Sequence, residues 1–158
     1  MGSRRRWSPD AVVVVALVLL HFTLFRFFVG WPAMPNFLVG GLLLAALRLR
    51  AGYAAFFGFS LGVLEAAMGL EGMGTISIVL TVVGYLSARS RDLLFADARY
   101  YVFIYLFAGT WVAEVSLMLA MPGGPGIWGG LVFAPVSALA TAVVCGTAES
   151  VASAIRRP

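Results

Sequence analysis

The sequence of 158 residues contains no lysine, one histidine (His21) and one cysteine (Cys145). A single cysteine excludes an intramolecular disulfide and a metal site built from several cysteines. Without lysine, no glycine-rich loop can end in the Gly-Lys pair that binds nucleotide phosphates. Only 11% of the residues are charged. These deficits leave no recognisable set of catalytic or metal-binding groups, so we expect neither an enzyme nor a bound cofactor.

The chain is predominantly apolar: 61% of its residues are hydrophobic, and the mean hydropathy is +0.97. The apolar runs are too long and too numerous for the core of one water-soluble domain. We therefore predict a single all-α integral membrane domain with six transmembrane helices in one bundle. The predicted spans are 10–29, 36–47, 53–70, 73–88, 100–121 and 128–155. The second is short enough to be tilted or re-entrant, and we expect a short interfacial helix in the polar connection 89–99.

The eleven basic residues are all arginines, and they are scattered in small clusters between the apolar runs. This distribution does not resemble a nucleic-acid-binding patch, and it carries information about orientation instead. With a cytoplasmic N-terminus, ten arginines fall in the inner segments 1–10, 48–52, 88–99 and 156–158. Cytoplasmic segments of membrane proteins are enriched in arginine and lysine. We therefore predict a multi-pass protein of the bacterial cytoplasmic membrane with both termini inside.

Small residues recur every four positions on two of the predicted spans. Gly58, Gly62 and Ala66 do so on the third, and the series on the sixth is Ala134, Ala138, Ala142, Gly146, Ser150 and Ala154. Small residues let helix backbones approach closely in lipid. A step of four residues also turns about 40° past a full helical turn, so the long series winds around its helix. We expect it to pack on more than one neighbour, while a contact with a partner protein or a second copy stays open.

The third span also matches G-x-S-x-G through Gly58, Ser60 and Gly62. That pattern marks a serine nucleophile when it lies on a turn between a strand and a helix, next to a general base. Here it lies inside an apolar helix, and the only histidine is on another span. We therefore interpret the glycines as helix-packing residues.

Four polar side chains lie within the apolar runs: His21, Arg26, Glu65 and Glu114. Charged groups at membrane depth face protein or water and have a partner. One interpretation pairs Arg26 with Glu65 or Glu71 to hold the bundle together. The alternatives are contacts with another membrane protein and a polar ligand pocket. We expect His21 to be a hydrogen-bonded residue of the bundle.

The order of several motifs resembles the family of the rod-shape-determining protein MreD, over roughly residues 10–155. Met34-Pro35-Asn36-Phe37-Leu38 opens the second run, Gly58-Phe59-x-x-Gly62 followed by a carboxylate lies in the third, and the fourth begins near Gly74 and closes on Val83-Gly84-Tyr85-Leu86. By this resemblance, Pro35, Asn36, Gly58, Gly62 and Gly74 are candidate structural or partner-contact residues. The family tends to carry an aspartate where this chain has Ala66, and here the carboxylate is Glu65.

The resemblance implies a non-enzymatic scaffold subunit of the bacterial cell-elongation complex, or elongasome, that supports cell shape and peptidoglycan synthesis. Its implied partners are MreC, the elongation-specific transpeptidase and glycosyltransferase pair and, indirectly, the MreB filament. The family also resembles, in its six-helix architecture, the substrate-binding component of energy-coupling-factor transporters. The alternative is therefore the membrane component of a vitamin or small-solute transporter. It predicts a pocket near the outer side that is lined by His21, Glu65, Glu114, Trp111 and Trp128.

Overall fold

The computed structural model describes residues 9–28, 34–69, 73–93, 99–120 and 126–155. These residues form six α-helices and no strand, which confirms the all-helical class. The helices are α1 (Pro9–Phe28), α2 (Phe37–Ala46), α3 (Ala51–Gly69), α4 (Met73–Leu93), α5 (Arg99–Ala120) and α6 (Gly126–Ile155). They begin and end within two residues of the apolar runs, except that α4 extends five residues further.

Three of these helices are long and apolar enough to cross a membrane. The qualifying segments are Ala51–Met68 of α3, Tyr101–Ala120 of α5 and Leu131–Ala154 of α6. Each shows many large apolar side chains on its outer surface, among them Phe56, Ile104 and Val132. An apolar surface of this kind is stable against lipid and unfavourable in water. The membrane character expected from the composition is thus found in the structure.

The short helix α2 forms the centre of the bundle. All ten of its residues are buried, and it contacts each of the other five helices. Its length is about 15 Å, against about 30 Å for the hydrocarbon core of a bilayer. The short second run is therefore an enclosed helix that covers about half of that thickness. It is apolar on every side because every side faces protein.

Helices α3 and α4 form the most tightly packed pair of the bundle, and they run in opposite directions. A Cβ atom added to Gly58 would overlap the backbone carbonyl of Leu80, and one added to Gly62 would lie 2.5 Å from Ser77 Cα. Gly84 of α4 lies equally close to the carbonyl group of Ala54, where a Cβ would be 2.5 Å from the oxygen. The four-residue spacing of glycines thus indicated a real backbone contact.

Helix α6 buries the first two-thirds of its small-residue series. Ala134, Ala138 and Ala142 are at most 3% exposed, and Gly146 lies against the ring of Phe103. The series continues at two exposed positions, 150 and 154. Because α6 packs on α1, α2 and α5, the expectation of more than one neighbour is confirmed.

One end of the bundle carries Arg48, Arg50, Arg89 and Arg91, and we call it the arginine end. Arg48 Nη2 lies 2.7 Å from Glu149 Oε1, and Arg91 Nη1 donates to the Leu47 carbonyl at 2.7 Å. The second bond fixes the last turns of α4 against the end of α2. Residues 89–93 form the last part of α4. The prediction that they belong to a separate interfacial helix is wrong. The rest of that expected helix, 94–98, lies outside the described residues.

Candidate functional site

The end of α2 opposite the arginine end carries a network of polar side chains. Asn36 is the N-cap residue of α2, and its Oδ1 accepts a hydrogen bond from the Val39 amide at 3.1 Å. The backbone N–H of Asn36 donates to Thr141 Oγ1 at 2.8 Å, and the Thr141 hydroxyl donates to the Ser137 carbonyl at 2.8 Å. The first turn of a helix has unpaired N–H groups, which are costly at membrane depth. The side chain of the cap residue Asn36 satisfies one of these N–H groups, and the bond to Thr141 links the start of α2 to α6.

The cap is expected to contribute measurably to stability. Asn36→Ala removes the acceptor of the Val39 amide, so we expect the free energy of unfolding to fall by about 1 kcal/mol. Asn36→Ser retains an uncharged side-chain acceptor at the N-cap and serves as the matched control. The measurement is equilibrium unfolding of the purified chain in mixed micelles. Equal losses for the two variants would show that the side-chain acceptor is not what stabilises α2.

Ser137 extends the network to α5 and to the segment before α2. Its Oγ lies 2.8 Å from the Met34 carbonyl oxygen and 2.6 Å from Glu114 Oε1. Ser137 is 5% exposed, so water does not replace either contact. A hydroxyl group carries one hydrogen. Both contacts are hydrogen bonds at the same time only if Glu114 is protonated and donates to Ser137 Oγ.

This hydrogen count predicts different outcomes for two substitutions of Glu114. The amide of Glu114→Gln can donate to Ser137 Oγ, so we expect its thermal midpoint to match that of the unsubstituted chain. Glu114→Leu leaves Ser137 without this partner. We expect its thermal midpoint to fall, with a loss in the free energy of unfolding of about 0.6 kcal/mol, the average contribution of an interhelical hydrogen bond in membranes. A glutamine variant that is as unstable as the leucine variant would contradict a donor role for Glu114.

A second polar pair joins α1 to α3. His21 Nε2 lies 3.2 Å from Glu65 Oε2, and the two side chains are 7% and 24% exposed. The ring of His21 also packs edge-on against Phe22, with ring centroids 5.5 Å apart. Glu65 therefore has a buried partner. His21 is a hydrogen-bonded residue of the bundle, as the sequence indicated.

A cavity of about 200 Å³ separates the two polar clusters. Its polar lining residues are Asn36 and Glu65, and its apolar walls come from α2, α4 and α5 through Leu38, Ile76 and Leu117. Cavities that hold drug-sized ligands usually measure about 300–1,000 Å³. This one has room for a much smaller solute.

Several candidate residues lie apart from this network. Gly74 is exposed, and an added Cβ would meet no atom within 4 Å, so packing inside the bundle does not require a glycine there. Pro35 is half-buried directly before the Asn36 cap. Trp111 is 39% exposed on the outer surface of α5. The side chains of Arg26 and Trp128, and all of Glu71, lie outside the described residues, so an Arg26–carboxylate pair stays a prediction.

Sequence reasoning missed the contribution of α6 to the network. Ser137 and Thr141 are four residues apart and therefore lie on one face of the helix. That face also carries the buried small residues Ala138 and Ala142. Two hydroxyl-bearing residues beside a small-residue series were the available signal, because such side chains commonly bond across helices in membranes.

The serine of the G-x-S-x-G match bonds within its own helix. Ser60 is exposed, and its hydroxyl donates to the Phe56 carbonyl of its own helix at 2.9 Å. Among the described residues, no group of three or more histidine, cysteine, aspartate or glutamate side chains could hold a metal ion. No protein-family model matches the chain, and no curated protein or solved structure is significantly similar to it.

Proposed function

We propose that this chain is a non-enzymatic scaffold subunit of the bacterial cell-elongation complex in the cytoplasmic membrane. The observation that carries the proposal is the motif order over residues 34–86, which resembles the MreD family. The structure supports a structural interpretation of that motif: Asn36 caps the central helix, and Gly58 and Gly62 permit the closest backbone contacts of α3 with α4. Residues with these roles build a rigid bundle, which is what a scaffold presents to its partners.

The proposed orientation places the arginine end in the cytoplasm. Arg48 and Arg91 lie at that end, and His21, Glu65 and Asn36 lie towards the other. By sequence, the predicted inner segments 1–10, 48–52, 88–99 and 156–158 contain ten arginines and three acidic residues, whereas the predicted outer side has one arginine and three glutamates. Positive charge on the cytoplasmic side supports this orientation. It also supports the prediction that both termini lie inside.

The proposed partners are MreC and the elongation-specific transpeptidase and glycosyltransferase pair, with the MreB filament as an indirect partner. The test is affinity purification of the full chain from native membranes under mild conditions, with identification of the companions by mass spectrometry. Recovery of MreC and the synthases is expected. Depletion of the chain is expected to turn rod-shaped cells round. Cells that keep normal width and normal wall incorporation after depletion would contradict the proposal.

A vitamin or small-solute transporter component is the alternative. The cavity beside Glu65 and Asn36 is the one observation that favours it, since it lies towards the proposed outer side. Its volume of about 200 Å³ is small for a vitamin. Of the four expected lining residues whose side chains the structure describes, only Glu65 contributes to it. Recovery of a coupling membrane protein with paired ATPases, in place of MreC, would favour transport.

A further inference from the structure

A long apolar groove runs between α4 and α5 on the outer surface of the bundle. Its volume is about 510 Å³, and its rims are Ile78, Val82 and Leu86 of α4 with Ile104, Ala108 and Val112 of α5. Helices α4 and α5 touch over fewer residues than the α3–α4 and α5–α6 pairs do. The α3–α4 pair and the α5–α6 pair are therefore splayed apart at this groove. The five large rim side chains are between 48% (Val82) and 65% (Ile104) exposed.

The two ends of the groove differ in polarity. Ser87, Ser90, Tyr101 and Tyr105 line the part nearest the arginine end, whereas the remaining lining is apolar except for Ser116. Arg89 is exposed and follows Val82 by seven residues, which returns it to within about 20° of the same helix face. This spacing places Arg89 on the same side of α4 as the rim residue Val82, about one turn beyond Leu86 towards the arginine end.

The dimensions of the groove fit a single acyl chain. From Tyr101 to Ser116 it extends about 22 Å along α5, at about 1.5 Å per residue. A methylene group occupies slightly less than the ~30 Å³ of a water molecule, so 510 Å³ holds a chain of about 17 carbons. A partner helix is about 10–12 Å wide and could only lie across the rims, because α4 and α5 remain in contact.

We propose that the groove between α4 and α5 is a binding site for an anionic phospholipid, with one acyl chain along the groove and the phosphate near Arg89. Charge complementarity selects the head group. By sequence, the predicted inner segments carry an excess of positive charge, with ten arginines against three acidic residues. We expect the one arginine beside the phosphate of the bound lipid, Arg89, to contribute about 1 kcal/mol to its binding, which is about fivefold in affinity.

Native mass spectrometry of the purified full chain tests this site. The probes are phosphatidylglycerol and phosphatidylcholine with identical acyl chains, titrated separately into detergent solution. The first bound phosphatidylglycerol is expected to bind at least fivefold more tightly than phosphatidylcholine. Ala108→Phe places a ring in the groove and should weaken binding of both lipids at least fivefold. Arg89→Gln should weaken only phosphatidylglycerol, by about fivefold.

Matched controls separate the groove from the rest of the surface. Ala67→Phe adds the same ring at an exposed position of α3, and Arg50→Gln removes an exposed arginine from the connection between α2 and α3. Both should bind lipid like the unsubstituted chain. Equal binding by the Ala108→Phe and Ala67→Phe variants, or an unchanged head-group preference in Arg89→Gln, would overturn the proposal. Unchanged lipid affinity together with loss of a co-purifying membrane protein in Ala108→Phe would identify a helix-docking surface and overturn it as well.

Discussion

Gly58→Leu is expected to abolish accumulation of the folded chain. The α3 backbone at this position lies directly against the Leu80 carbonyl of α4, so even a Cβ atom would overlap backbone atoms. Backbone cannot move aside as a flexible side chain does, and the two helices would have to separate along their whole contact. Overpacking a well-packed site costs about 1–3 kcal/mol, and a leucine here adds a complete side chain to that. We therefore expect Gly58→Ala to lose about 3 kcal/mol of unfolding free energy and Gly58→Leu not to fold.

Two glycines of the same chain provide controls for this prediction. An alanine at Gly52, near the start of α3, or at Gly74, near the start of α4, would meet no atom within 4 Å. Glycine is also a poor helix former, so both substitutions are expected to be neutral or slightly stabilising. The measurement is the amount of monodisperse protein recovered from membranes, followed by equilibrium unfolding of those variants that can be purified. A Gly58→Ala chain as stable as Gly74→Ala would show that α3 and α4 can separate without cost.

Local pattern was sufficient to predict the helices and one packing face. A run of apolar residues forms a helix in lipid because every backbone N–H and C=O must be satisfied within the segment. The positions of α1 to α6 follow from that requirement. Gly58 and Gly62 mark the α3–α4 contact because a four-residue spacing places both on one side of a helix. Gly84, which completes the contact from α4, lacks a second glycine at this spacing and gave no comparable signal.

Long-range pairing was not predictable in the same way. The partner of Glu65 is His21, which lies 44 positions earlier on a helix that is not adjacent to α3 in sequence. Spacing within one helix does not indicate which face of another helix will meet it. The central position of α2 was unpredictable for the same reason, because a ten-residue apolar run can be a marginal span or an enclosed helix. The contacts with five neighbours, which local sequence does not encode, decide between these two forms.

The pair of His21 and Glu65 is expected to be the most sensitive polar contact of the bundle. The carboxylate is 24% exposed, and the imidazole that faces it at 3.2 Å is 7% exposed. His21→Leu takes this partner away and leaves a carboxylate near apolar helices, where insertion scales assign a charged group a cost of about 2.5–3.5 kcal/mol. We therefore expect His21→Leu to lower the free energy of unfolding by about 2–3 kcal/mol. The loss reflects the isolated carboxylate more than the hydrogen bond itself, which contributes about 0.6 kcal/mol on average in membranes.

A double-mutant cycle separates these two contributions. Glu65→Leu removes the carboxylate, so the chain with both substitutions should be more stable than His21→Leu, and the two losses should fall short of additivity by at least about 1 kcal/mol. Glu65→Gln keeps an acceptor for the ring and should cost less than His21→Leu. Equilibrium unfolding of the four chains in the same micelles gives the coupling energy. A coupling energy of zero would mean that the two side chains are neighbours without an energetic interaction, and that another group balances the Glu65 carboxylate.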